Sequence, residues 1–347
     1  MRFDNREVKT SSNSIGHVLL ISPLTFSYHL NISATLQAMG YEVTWWDERA
    51  SSATWYKIAL RLCPALAARL SEKKFFTKLE RINQCNISHV LVIKGEGLSQ
   101  RVVKAIRNTF PGASVGLYLW DGVENVGGVF RILGEFDSIA TFDPMDAETN
   151  GWFYRPLFGR NISPHKEKLS SVKYDWSFIG TIHSDRHRVI HRLRGRYDVK
   201  YRYFIFCYFQ SPFILFIRKI FDWTLWRAPK GTLSTQSMIA TEVAEIVDCS
   251  KAVLDVEHPR QRGFTMRTIE TLLAGKKLIT TNKHIFNSDL HDATRVCVID
   301  RNNPEISDVF LDKVFLPISD ELRMRYSCEG WASELLQLQD EAKREKN

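Results

Sequence analysis

Three arginines crowd into one stretch of this chain, HPRQRGFTMRTIETLLAGKKLITTN at residues 258–282, and their spacing suits anion binding. Arg260, Arg262 and Arg267 surround a turn at Gly263, which opens a short helical pattern in which Met266, Ile269 and Leu273 recur every three or four residues. A helix start offers N–H groups without intrahelical partners and a partial positive charge, so amides and guanidinium groups together would hold an anion, phosphate first among them. The alternative is a solvated basic surface on which Glu270 simply pairs with Arg267 one turn back, worth roughly a few tenths of a kcal/mol. A second place of this kind lies at Gly180 and Thr181, where a strand runs into a helix that starts near Asp185 and carries Arg186; that arginine could equally be a solvated helix residue. Carboxylates at the ends of apolar runs, Asp47, Glu96 and Asp121, could accept the proton of a hydroxyl group, although each could instead cap the next helix.

The elements that must position these groups follow from the pattern of apolar runs and breakers. Residues 252–256, the helix after Gly263, its stop at Gly275 and residues 277–281 form a βαβ unit. Toward the N-terminus, strands are expected at 17–23, 41–47, 89–95, 114–121 and 138–143, with helices at 28–39, 51–83 (interrupted at Pro64), 98–108 and 127–133. Lys57, Arg61, Arg69, Lys73, Lys74, Lys78 and Arg81 make the second of these helices basic, either as a solvated face or as one turned to an anionic membrane or acceptor. Alternation of strand and helix argues an α/β fold with doubly wound parallel sheets, whose ligands sit at the carboxyl ends of the strands. The opening resembles the first βαβ of a Rossmann-like domain, but without a GxGxxG it is no dinucleotide fingerprint. Periodicity fades over 145–173, which reads as a linker, and a second sheet begins at 175–180. The expected domains are 1–161 and 162–347, the latter with further strands at 251–256 and 295–300, a helix at 234–246 and a long terminal helix over 319–342.

A chain of 347 residues suits two domains, and with 44% hydrophobic and 25% charged residues it has the composition of a folded globular protein. The net charge of +8 favours anionic partners without choosing among nucleic acid, lipid headgroups and phosphorylated substrates. Six scattered cysteines form no CxxC pair and meet no histidine at metal-ligand spacing, and no DxD pair sits in a loop suited to a divalent ion. Reduced thiols, a polar N-terminus without a secretory signal and the lack of a long apolar run place the protein in the cytoplasm, with no metal and no membrane-spanning helix expected.

Residues 201–226, YRYFIFCYFQSPFILFIRKIFDWTLW, interleave aromatics with cations. That composition suits the headgroup layer of an anionic membrane, which a protein would meet from the cytoplasmic face. A strand followed by a core helix at an interface is the alternative. Nucleic acid is not expected as a partner, because no RNA- or DNA-binding signature is present.

The segment RGFTMRTIETLLAGKKLITTN is similar to the nucleotide-sugar-binding region of GT-B fold glycosyltransferases, and more specifically to bacterial glycosyltransferases of lipopolysaccharide and capsule assembly related to the CgeB-like group. The resemblance implies two Rossmann-like domains facing across a cleft, an acceptor-binding domain first and a nucleotide-sugar donor-binding domain second. It implies metal-independent transfer of a sugar from a nucleotide-diphosphate donor to a glycan or glycolipid acceptor of lipopolysaccharide, capsule or exopolysaccharide, with the nucleotide sugar as substrate and no cofactor. The donor would meet Arg262, Gly263, Phe264, Thr265, Arg267 and Glu270, with Gly180, Thr181 and Arg186 facing the same cleft. Glu270 would bond donor hydroxyls, and Asp121 would be the base if the anomeric centre inverts. Two other functions are compatible with the same fold: a non-catalytic polysaccharide-binding protein of the envelope, and a nucleotide-sugar epimerase.

Overall fold

Aliphatic runs such as His89–Ile93, buried along its whole length, become the inner strands of two six-stranded sheets in which every neighbouring pair is parallel. Such strands are apolar throughout because helices cover both faces of a parallel sheet. The computed structural model describes residues 14–24, 27–49, 51, 56, 59–60, 62–126, 128–160, 171–307 and 309–346. The chain divides into two units, Met1–Arg155 together with Cys328–Asn347, and Pro156–Ser327.

The first unit runs β1 (Gly16–Ser22), α1 (Tyr28–Ala38), β2 (Tyr41–Asp47), α2 (Pro64–Ile82), β3 (His89–Ile93), α3 (Gln100–Thr109), β4 (Ser114–Leu119), β5 (Ser138–Thr141), α4 (Pro144–Asn150) and β6 (Phe153–Tyr154). Its strand order is β2-β1-β3-β4-β5-β6, so the winding reverses between β1 and β3. The last helix of the chain, Cys328–Lys346, completes this unit by burying Trp331, Leu335 and Leu336. Gly116 of β4 admits it: a Cβ there would lie 2.5 Å from the Gln339 side chain. Asp340 of the same helix accepts from Ser114 Oγ at 2.9 Å and stands 3.0 Å from His89 Nε2.

In the second unit β7 (Tyr174–Thr181), α5 (Arg186–Tyr197), β8 (Tyr203–Tyr208), α6 (Pro212–Phe221) and β9 (Leu233–Ser234) are followed by α7 (Ala240–Asp248), β10 (Ser250–Asp255), α8 (Met266–Leu273), β11 (Lys277–Thr280), β12 (Val296–Val298) and α9 (Asp320–Arg325). The order β12-β11-β10-β7-β8-β9 puts its reversal between β7 and β10. Trp176, Phe178, Leu254 and Ile279 meet helix residues Val189 and Leu193 in one core.

Several sequence expectations change in detail. The helix expected over 51–83 is seen as Pro64–Ile82, with the proline in its first turn, where it costs no intrahelical bond; Lys57 and Arg61 lie outside the described residues. In place of a helix over 127–133 there are 3-10 turns at Val129–Arg131 and Leu133–Glu135, and Gly127 lies outside the described residues. In place of a linker beginning at residue 145 stands α4, which Asp143 caps by accepting from Met145 N and Asp146 N. The expected boundary after residue 161 falls outside the described residues, and the two units divide at Arg155. The expected terminal helix is in two pieces, α9 and Cys328–Lys346 (α10). The second piece belongs to the first unit, where its apolar face is buried, rather than to the domain expected over 162–347.

All six cysteines are free thiols. Among the described residues no helix is long and apolar enough to cross a membrane, and no cluster of three or more His, Cys, Asp or Glu side chains could hold a metal ion.

Candidate functional site

The reversal between β7 and β10 lies where open α/β sheets bind ligands, at the carboxyl ends of the strands. Of the sequence candidates of the second unit, Thr181 and Arg186 meet the start of the loop after β10 here. Arg186 stitches the two loops together, donating from Nε to the Val256 carbonyl at 2.6 Å and from NH1 to the Thr181 carbonyl at 2.8 Å. It is thus neither a solvated helix residue nor an uncommitted cation. Gly180 leaves room for it, since a Cβ at that position would lie 3.1 Å from the Phe178 ring and 3.5 Å from the Arg186 guanidinium.

The loop after β10 leads into α8 through a hydroxyl–carboxylate network. Asp255 accepts from Thr265 Oγ1 at 2.5 Å and from Thr268 Oγ1 at 2.6 Å, while Thr265 Oγ1 caps the helix by accepting from Thr268 N at 3.1 Å. Strand end and helix start are thereby locked to one another. The N–H groups of the first two helical residues, Met266 and Arg267, keep no intrahelical partner and mark the positive end of the helix. Asn282 Nδ2 fixes the loop by donating to the Arg262 carbonyl at 3.1 Å and lies 3.4 Å from the Gly263 carbonyl. Phe264 in the same loop is buried.

Glu270 has a different setting from the one its spacing suggested. It is 3% exposed, and Oε1 accepts from Arg160 Nε at 2.7 Å, whereas Arg267 NH1 stands 3.9 Å from Oε2. Arg267 is therefore held loosely and Glu270 tightly. Gly159 brings Arg160 to the helix: a Cβ on Gly159 would come within 2.6 Å of Leu273 Cδ1 and 3.5 Å of the Glu270 Cα.

Further residues that sequence reasoning missed complete the surroundings. Arg301 bridges Asp185 Oδ1 at 2.8 Å and Glu257 Oε1 at 2.7 Å, and Thr281 donates to Glu257 Oε2 at 2.5 Å. Burial raises the Glu257 pKa, against the pull of Thr281 and Arg301. His183 and His258 lie with ring centroids 5.8 Å apart. Burial and then the Arg186 charge push His183 down to about 3, so it is neutral at physiological pH. His258 Nδ1 accepts from the Arg260 amide at 3.3 Å, which puts the proton of a neutral ring on Nε2. These partners sit far apart in sequence, and only the short spacing of Asp255, Thr265 and Thr268 offered a signal.

The first unit carries a charged cluster at its own reversal point. Lys94 Nζ lies 2.9 Å from Asp121 Oδ2 and 3.2 Å from Glu96 Oε2. Burial opposes the ammonium charge, but Asp121, Glu96 and Glu48 outweigh it and the Lys94 pKa is raised. Glu48, which sequence reasoning passed over, is fully buried, and neither carboxylate oxygen has a hydrogen-bond partner; burial pushes it up to about 8. Gly97 is obligatory beside it, because a Cβ would stand 2.1 Å from the Glu48 carbonyl oxygen. Asp47 accepts from the Arg49 amide at 3.0 Å in a local turn. Asp121, with 46% of its side chain exposed, belongs to this first unit. Among the described residues the three non-glycine positions with left-handed backbone, Ser27, Lys94 and Ser184, follow β1, β3 and β7, strands that flank the two reversal points. Each costs of order 1–2 kcal/mol, a strain that collects at functional loops.

Solved structures share this arrangement over nearly the whole chain. HepE from Anabaena, solved in complex with UDP and glucose, matches with a TM-score of 0.55 at 8% identity, covering 95% of this chain and 98% of that one. The fold is of the GT-B type. Sucrose-phosphate synthase from Thermosynechococcus elongatus matches with a TM-score of 0.54 at 10% identity over 94% of each chain. The N-terminal domain of Candida albicans trehalose-6-phosphate phosphatase matches at 0.50, with 11% identity over 97% of each chain. At these identities the likeness is one of fold. No family model matches the sequence, and no curated protein matches it.

Proposed function

We propose that this protein is a glycosyltransferase that moves a sugar from a nucleotide-diphosphate donor to a hydroxyl of a lipopolysaccharide, capsule or exopolysaccharide acceptor, without a metal, in the cytoplasm. The observation that carries the proposal is that Arg186 joins the loop after β7, at Thr181, to the loop after β10, at Val256, which runs on through the arginines to the start of α8. HepE, of like fold, was solved with UDP and glucose, which supports a nucleotide sugar as the ligand here.

In this mechanism Arg262, Arg267 and the amides at the start of α8 bind the donor diphosphate and stabilise the charge that grows on it as the glycosidic bond breaks. Gly263 lets the backbone approach the phosphates, and the Thr265 cap holds the amides in place. Glu270, 3% exposed and bonded to Arg160, serves the donor site as an anchor of the helix surface that bears Arg267 rather than by bonding donor hydroxyls directly. Asp121 serves as the base that takes the acceptor proton in an inverting reaction.

Thermal shift and saturation-transfer NMR with UDP, GDP, dTDP and CMP test the proposal. At least one nucleotide should raise the melting temperature, and the matching nucleotide sugar should be consumed only when an acceptor is added. Conversion of the donor without acceptor would indicate an epimerase. Binding of glycan without turnover of any donor would indicate a non-catalytic polysaccharide-binding protein.

A further inference from the structure

Helix α6 wears its apolar stripe on the outside. Phe213, Phe216, Ile217, Ile220 and Phe221 follow the i, i+3, i+4, i+7, i+8 spacing of a helix face meant for burial. Yet all five are exposed, Phe213 by 71% and Phe221 by 75%, while Ile214 and Leu215 pack against the core of the second unit. The adjoining 3-10 turn Trp223–Arg227 extends the patch with Trp223 and Trp226, both more than half exposed. A contiguous apolar surface of this kind marks an interaction site.

The charges around it identify the partner. Lys219 Nζ stands 4.8 Å from the Trp226 ring centroid and Arg227 4.4 Å from that of Trp223, so each exposed indole carries a cation. Over residues 201–241 there are five basic residues and a single acid, Asp222. Asp222 is buried, accepts from the Thr224 amide and hydroxyl, and pairs with Arg188. The patch therefore offers apolar side chains, indoles and positive charge, with its acid neutralised. A second copy of the chain across a two-fold axis would oppose this basic patch with itself, which disfavours self-association.

We propose that this face docks on an anionic lipid bilayer. Phe213, Phe216, Ile217, Ile220 and Phe221 would enter the boundary between headgroups and acyl chains, with the indoles and their cations at phosphate level. Ten residues cannot span the hydrocarbon layer, so the contact is monotopic. The surface is independent of the sugar-transfer proposal, and either can fail alone.

Flotation of the full chain with phosphatidylcholine vesicles, with and without phosphatidylglycerol, tests this, alongside light scattering over a range of protein concentrations. The wild type should float with the anionic vesicles, lose that binding at high salt, and remain monomeric. The double variant Phe216→Glu/Ile220→Glu should lower the partition about tenfold or more, from the apolar area lost and the charge added. Both positions are exposed, and an unchanged melting temperature would show that the fold is kept. Lys219→Glu/Arg227→Glu should weaken binding to anionic vesicles selectively. Equal recovery of the wild type in the unfloated fraction with and without anionic vesicles overturns the proposal. So does a concentration-dependent dimer abolished by Phe216→Glu/Ile220→Glu, which would make the patch an interface between copies.

Discussion

Arg267→Ala and Glu270→Ala should leave opposite signatures, although the two residues lie one turn apart on α8. The Arg267 guanidinium stands 3.9 Å from Glu270 Oε2 and is 23% exposed, so the pair adds at most about 0–1 kcal/mol to stability. If Arg267 instead binds a diphosphate, its loss removes a charged hydrogen bond worth about 1.5–3 kcal/mol, roughly 10- to 150-fold in Kd. Glu270 has the reverse balance. It is 3% exposed and bonded to Arg160 at 2.7 Å, and breaking a fully buried pair costs about 3–5 kcal/mol. Arg160 is 28% exposed, so water recovers part of that loss and about 2–3 kcal/mol is expected. Urea unfolding measures the stability of both variants, and calorimetric titration with UDP, GDP, dTDP and CMP measures affinity. Arg267→Ala should keep the unfolding midpoint and lose the nucleotide; Glu270→Ala should lower the midpoint and weaken the nucleotide as a consequence. An Arg267→Ala protein that unfolds early and binds every nucleotide as the wild type does would refute the assignment.

Other expectations concern both units. Glu48 is neutral in the folded state because its pKa of about 8 lies above the ordinary 4.5, so stability is fully present below pH 4.5 and falls as pH rises toward 8. Glu48→Gln should remove that fall, a difference of order 5 kcal/mol at about 1.36 kcal/mol per pH unit, and parallel stability curves from pH 5 to pH 8 would contradict it. Gly159→Ala should destabilise by about 1–3 kcal/mol, because its Cβ would sit 2.6 Å from Leu273 Cδ1; an unchanged melting temperature would show that the chain moves aside freely. Asp121→Asn should slow transfer by about a hundredfold or more at unchanged donor affinity, and undiminished turnover would remove Asp121 as the base.

Most inner strands were legible because they carry buried apolar runs, as in Val90, Leu91, Val92 and Ile93, whereas the two-residue strands β6 and β9 were not expected and β8 was expected only as one alternative for residues 201–226. The reversal points were not legible, since strand order depends on which edge a crossover chooses. The cluster around α8 was half visible. Its arginines are close in sequence, but Arg160 reaches Glu270 across 110 positions and Arg301 reaches Asp185 across 116. The stripe of α6 shows the same limit from the other side: helical spacing reveals that a face is apolar, not whether the fold covers it. The terminal helix illustrates it again, because nothing local to Trp331 and Leu335 indicates which of two similar units will bury them.

Hydrogen exchange with and without the nucleotide that gives the largest thermal shift addresses the central claim most directly. Protection should concentrate in two segments, residues 180–188 and 256–268, and should vanish in Arg267→Ala. Protection confined to other segments, or none with any of the four nucleotides, would contradict a diphosphate site at the β7–β10 reversal.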